Sequence, residues 1–218
     1  MIDASLNEVE GLAARAARGA GLPWGLAEET GKAARWLASC GLDWSSTLVG
    51  LLADHPHLAA LASGAQTVLS PAEYGKPLSP IVAGAHIDDI ALLAGDLAIA
   101  ATAWPLWLLP FAARAANETA AAVILGWADV AVTIWPYGGD VSGNAGALLT
   151  PLAEGVTWSH VAPGATAPAT GTALTRVARS AVADDDWQRL VALGARTFVP
   201  ASAHSRMAGA GAGLIDND

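Results

Sequence analysis

Over the first fifty positions apolar residues recur every three to four places, the spacing of helices that bury one side. Leu6, Val9, Leu12, Ala13 and Ala16 make one such stripe. Ser5-Leu6-Asn7-Glu8 precedes it with the spacing of a capping box, in which serine and glutamate side chains satisfy each other's backbone donors. Gly19 and Gly21 end that helix. A second helix is predicted from near Pro23 to Cys40, with Glu28 and Lys32 one turn apart and Gly41 as its stop. The two should pack as a hairpin. Asp43 is placed to cap a third helix running through Leu52 to the His55-Pro56-His57 turn.

The pattern then changes. From residue 69 to 84 prolines and glycines recur without period, which predicts loops and short extended pieces. Residues 87–100 fit a helix, and 108–117 fit one better. Residues 120–127 (AAAVILGW) and 130–135 (VAVTIW) are β-rich runs separated by Ala128-Asp129, the pattern of a hairpin. Residues 137–140 turn the chain. Residues 155–160 and 172–182 are predicted strands, with PGATAPATG as a loop between them. Asp184, Asp185 and Asp186 open a final helix over 187–197, which Pro200 closes. Helices, hairpin, strands and a late helix predict an α+β fold, with a helical N-terminal region (1–68), an α+β body (69–218) and one compact domain overall. No internal repeat is visible.

Composition narrows the classes. Apolar residues make up 53% of the 218 and charged ones 14%, so a large buried core is expected and, with so much alanine and glycine, packing of subunits into a homo-oligomer. The longest apolar run, 97–113, carries Pro105 and Pro110, which disfavour a membrane span. The acidic start MIDASLNEVE lacks the basic and apolar regions of a signal peptide, and the lone Cys40 makes no intrachain disulfide. These features point to the cytoplasm. With 11 basic against 20 acidic residues the net charge of −9 repels phosphate backbones, so neither nucleic acid nor membrane is an expected partner.

Residues 5–41, above all ARGAGLPWGLAEETGKAARWLASCGL, together with the ending FVPASAHSRMAGAGAGLIDND, resemble the bacterial family known as domain of unknown function 3726. The resemblance extends along the chain and implies a bacterial protein whose closing Ser-Arg, glycine–alanine and Asp-Asn-Asp elements belong to the family pattern. It implies no activity. A weaker likeness, carried by the spacing of Gly21, Ala27, Gly41 and Asp43, is to the opening helices of the malate and L-lactate dehydrogenase family that lacks an ordinary Rossmann domain. Trp44-Ser45-Ser46 departs from that family's Ser-His pair.

Candidate chemistry falls in five places. His86-Ile87-Asp88-Asp89 sets a histidine beside carboxylates; on a helix His86 and Asp89 would share a face and serve as base and orienter or as metal ligands, while the plainer reading makes Asp88 or Asp89 the cap of a following helix. His55 and His57 lack a third ligand nearby. Tyr137-Gly138-Gly139-Asp140-Val141-Ser142-Gly143-Asn144 follows a β-rich run, where a glycine loop can hold an anion against backbone donors, with Trp135 as a wall; a simple hairpin turn explains it as well. It has neither a phosphate-loop lysine nor a full dinucleotide fingerprint, and no GxSxG elbow occurs. His160 is a candidate base on a strand, though a lone strand histidine is more often structural. In the tail, His204, Ser205 and Arg206 suit a carboxylate ligand, and Asp216 and Asp218 a divalent metal; a frayed terminus is the competing account.

The resulting expectation is a small-molecule catabolic enzyme, a hydrolase or lyase acting on a polar carboxylate-bearing ligand. Arg206 would hold the anion, and His86 or His160 with Asp88 or Asp140 would move protons. The alternatives are a non-catalytic binding or assembly subunit and an NAD(P)-dependent oxidoreductase.

Overall fold

The computed structural model describes residues 1–62, 67–90, 95–161 and 171–198. The chain opens with a short strand, β1 (Ile2–Ser5), and enters α1 (Leu6–Gly19) through a complete capping box: the Glu8 amide donates to Ser5 Oγ at 3.3 Å, and the Ser5 amide donates to Glu8 Oε2 at 2.8 Å. Helix α2 (Trp24–Ser39) folds back on α1 as the stripes predict. The approach is close at Gly31, where a Cβ would stand 2.8 Å from the Glu10 carbonyl oxygen. Gly41 turns the chain at φ +68, a conformation costly for residues with a side chain. Asp43 accepts from the Ser46 amide at 3.1 Å and starts α3 (Trp44–Asp54). One detail differs from expectation: Lys32 pairs with Glu29 at 2.8 Å, on the side turned towards the next helices, rather than with Glu28.

The stretch 69–100 departs further. After β2 (Val68–Leu69) comes α4 (Pro80–Ile90), which begins inside the segment expected to be loop, and β3 (Leu97–Ile99) occupies the end of the expected helix 87–100. β4 (Thr102–Ala103) and a 3-10 turn at Pro105–Leu108 lead into α5 (Leu109–Thr119). The apolar run 97–113 is therefore two strands, a turn and the start of a helix. No helix of the described residues is long and apolar enough to cross a membrane.

The β-rich half follows its alternation. β5 (Val123–Trp127) and β6 (Val130–Trp135) form the hairpin, turned at Ala128, and β7 (Gly138–Gly143) pairs onto β6 through a turn with Tyr137 at φ +67. β8 (Leu152–Ala153) pairs with β4, and β9 (Val156–His160) lies between β5 and β3. The expected strand 172–182 is two strands in different sheets: β10 (Thr172–Ala173) pairs with β7, and β11 (Arg179–Val182) with β1. The last helix, α6 (Asp184–Ala195), starts at the first of its three acids, where the helix dipole favours negative charge, and packs on α1.

The architecture is α+β. A mixed sheet of seven strands, in the order β10-β7-β6-β5-β9-β3-β2, carries a helical layer on one face. Directly opposed residues share a face, so the register assigns Leu97, Ile99, Val123, Leu125, Val132, Ile134, Trp158 and His160 to one side. Apart from His160 these are buried in one core with the inward residues of α1 to α6. The other side presents Val68, Ala98, Ile124, Gly126, Ala131, Thr133, Trp135, Gly138, Asp140, Ser142, Thr157, Ser159 and Ala173.

Candidate functional site

The sheet register decides first which nominated groups can meet. Asp140 opposes Thr133 on the outer face, whereas His160 opposes Val123 on the helical face. The two are separated by the thickness of the sheet and cannot form one proton-transfer pair. The glycine segment that suggested an anion loop is strand β7. Within it Ser142 Oγ donates to the Ala131 carbonyl at 3.2 Å, a cross-strand tie, and at its end Asn144 Oδ1 accepts from the Gly146 amide at 3.0 Å as a helical cap. Tyr137 stands 87% exposed at the turn, and the Trp135 indole lies over Gly138, where a Cβ would be 2.2 Å from Nε1. Tyr137, Trp135, Ser142 and Asn144 are thus parts of a hairpin, and Asp140 is buried on its outer face, with the Gly171 amide 3.4 Å from Oδ2.

His86, Asp88 and Asp89 lie in the last two turns of α4, so neither aspartate caps a following helix. Asp88 turns towards α5 and α2 and meets Arg114: Nη2 donates to Asp88 Oδ2 at 2.6 Å, and Nη1 to Glu29 Oε2 at 2.5 Å. Glu29 also takes Lys32. The guanidinium packs over the Phe111 ring at 4.7 Å. One arginine therefore ties three helices through two carboxylates. Burial pushes the Asp88 carboxyl up to about 6, only partly countered by the Arg114 charge, and the neighbouring carboxylates of Glu29, Glu118 and Asp89 add to the rise. Burial also acts on Glu29, but hydrogen bonds from Lys32 and Arg114 outweigh it and hold that carboxyl below its ordinary value. His86 Nε2 is buried with no hydrogen-bond partner among the described residues.

His160 is held at its backbone, where the amide donates to Asp96 Oδ1 at 2.9 Å. Its ring stands 6.3 Å from that of Trp158, and both its ring nitrogens, like Trp158 Nε1, are buried without a hydrogen-bond partner among the described residues. His55 and His57 form a 3-10 turn after α3. Burial pulls the His55 imidazole below its ordinary range. No group of three or more metal-ligating side chains occurs among the described residues. His204, Ser205, Arg206, Asp216 and Asp218 lie outside the described residues, as does most of the 163–171 loop.

Clefts lie elsewhere among the described residues. One of about 610 Å³ runs along Pro71, Tyr74, Lys76, Leu152 and Glu154. A second, about 480 Å³, separates α3 from α6, and a third, about 400 Å³, lies between α2, α3 and β11 beside Asp43, Ser45 and Arg179. None of the three is lined by His86, Asp88, Asp140 or His160. The sequence reading missed Arg114, although a single arginine in the otherwise apolar start of α5 was a visible signal. It also missed Arg189 on α6 and Arg196 at the C-terminal cap of that helix, seven positions apart, which line the second cleft.

Compared with known proteins, residues 4–94 match the model of a family described as "Protein of unknown function (DUF3726)". The match takes in the N-terminal motif and stops short of the C-terminal one. No curated protein matches the chain. A solved structure, the malate dehydrogenase from Entamoeba histolytica, is similar over 66% of this chain and 49% of its own, at 10% identity and a TM-score of 0.46. The chain spans about half the length of that structure.

Proposed function

We propose that this chain is a binding and assembly subunit, rather than the hydrolase or lyase its residue types suggest, and that copies of it meet through the outer face of the seven-stranded sheet. The supporting observation is the chemistry of that face. A sheet side turned to water ordinarily alternates in lysine, glutamate and other charged residues. Here Val68 is 52% exposed, Ala98 and Thr157 are exposed, and Ile124, Gly126, Ala131, Ser142 and Ser159 are half-buried. Among the described strand residues of this face the one charged side chain is Asp140, at 2% exposure. In a protein of net charge −9, copies repel one another over most of their surface. A nearly neutral face, on which Val68, Ile124 and Trp135 stand among small side chains, is where two copies approach without that cost, and a self-complementary contact across a twofold axis is the usual closed solution.

Replacing both Ala98 and Thr157, cross-strand neighbours on this face, by arginine tests the reading. Light scattering should give a dimer or larger species for the natural protein and a monomer for the variant, with unchanged far-ultraviolet circular dichroism. A natural protein that is monomeric at micromolar concentration would overturn it, as would a variant that keeps its mass.

One observation favours a second reading, a small-molecule hydrolase or lyase: a carboxyl near 6, as at Asp88, exchanges protons readily at neutral pH. Arg114 already bridges Glu29 and Asp88, which leaves it poorly placed to grip a substrate carboxylate. Turnover of small esters, amides or hydroxy acids that is lost in Asp88→Asn would favour this reading. Turnover that survives the substitution would remove Asp88 from it.

A further inference from the structure

We infer that the cleft between α3 and α6 is a binding site for a linear aliphatic dicarboxylate, gripped at its two ends by Arg189 and Arg196. The cleft measures about 480 Å³, within the range of small-molecule sites. Ala20, Val49, Leu52, Ala53, Pro56, Ala192 and Leu193 line it, and among the described residues the only charged side chains on it are the two arginines. Such a lining selects a ligand that is apolar along its body and anionic where it meets the guanidiniums. The arginines are seven positions apart, Arg189 on α6 and Arg196 capping its C-terminal end, where the backbone is still helical in φ and ψ, which puts their backbone origins about 10 Å from each other along the helix axis. A ligand with one charge reaches one of them; a chain with a carboxylate at each end reaches both.

Charge accounting separates these two arginines from most other cations of the described residues. Lys32, Arg35, Lys76, Arg114 and Arg179 each hold a carboxylate within 4 Å; Arg176 donates to Ser39 while lying over Trp36, Arg18 donates to the Leu22 carbonyl while lying over Trp24, and Arg15, outside this cleft, is the other described cation without a carboxylate. Arg189 and Arg196 hold none among the described residues, in a chain where acids outnumber bases by 20 to 11. Asp185 and Asp186 precede Arg189 by one turn, the spacing of an intrahelical pair, yet neither makes one. Arginine presents a planar fork matched to a carboxylate. The alignment of a free pair over an apolar trough is what such a ligand requires. The site is built from α1, α3 and α6, which contribute nothing to the outer sheet face, so it stands or falls independently of self-association.

Isothermal titration at low salt with linear dicarboxylates from succinate to sebacate, each beside its monocarboxylate of equal length, tests the proposal. Affinity should rise with chain length until both arginines are reached, and the best diacid should bind at least about tenfold more tightly than its monoacid. Arg189→Gln and Arg196→Gln should each cost about tenfold, and the pair should reduce the diacid to the level of the monoacid or below. Both side chains are exposed, so circular dichroism should be unchanged; Arg189→Lys with Arg196→Lys keeps the charge and should bind with intermediate strength. Lack of heat with any diacid at millimolar concentration overturns the proposal. So does equal affinity for matched mono- and diacids, or a double glutamine variant that binds as the natural protein does.

Discussion

Asp88→Asn should stabilise the protein at neutral pH and leave it unchanged in acid. The folded state holds this carboxyl near 6 against an ordinary 3.8, with burial as the leading cause. A raised carboxyl pKa means that the folded protein binds the proton more tightly than the unfolded chain does, so the ionised form is a burden on folding. Between about pH 4 and 6 stability falls as pH rises, and above 6 the whole penalty is present. A shift of about two pH units corresponds to about 3 kcal/mol at most. Asp88 is partly open to solvent, which screens the penalty, and asparagine keeps an oxygen for Arg114 Nη2, so about 1 kcal/mol is the expected gain. In a domain of this size that raises Tm by about 2–4 °C. Calorimetric scans of both proteins from pH 3.5 to 8 should show two curves that coincide in acid and separate through the window from 4 to 6. A variant that is less stable at pH 7, or a gap independent of pH, would mean that ionised Asp88 does not burden the fold and that the Arg114–Asp88 pair is a net stabiliser.

Three further outcomes follow from packing and hydrogen bonding. His160→Leu should be neutral or stabilising by up to about 1 kcal/mol, since both ring nitrogens are buried without a partner among the described residues; a loss above about 2 kcal/mol in denaturant melts would show that they are satisfied. Gly19→Ala should cost about 1–3 kcal/mol or more, because the new Cβ would fall 1.8 Å from the Leu193 carbonyl oxygen where α1 crosses α6; an unchanged urea midpoint would contradict that crossing. Gly84→Ala should behave similarly against the Phe111 ring, at 2.2 Å, but with a smaller loss, because a side chain yields more easily than backbone.

What could be read from sequence alone was local. Ser5 with Glu8, Asp43, and glycines 19, 21 and 41 mark helix ends through bonds made within one turn, and all three N-terminal helices stand where those signals put them. The β5–β6 hairpin was legible for the same reason, its two strands being neighbours in the chain. The first two turns of α4 read as loop because Pro80 and Gly84 are breakers by type, although Ser79-Pro80 is a sound helix opening: serine at the cap and proline where no donor is needed. Residues 97–99 became a strand through pairing with β9, about sixty positions away, and 172–182 split because one end pairs with β7 and the other with β1. The candidate site failed at the same level. Asp140 and His160 look compatible in sequence, but strand register, a non-local property, puts a sheet between them.

Cross-linking at Thr157 reads self-association through the outer sheet face without an intermediate step. The lone natural thiol, Cys40, is buried, and burial raises its pKa, so a cysteine introduced at 157 is the reactive one. With a short bismaleimide, Thr157→Cys should give a covalent dimer at concentrations where the same substitution at the exposed Tyr74, off this face, gives monomer. Equal cross-linking at both positions, or none at 157, would contradict the account.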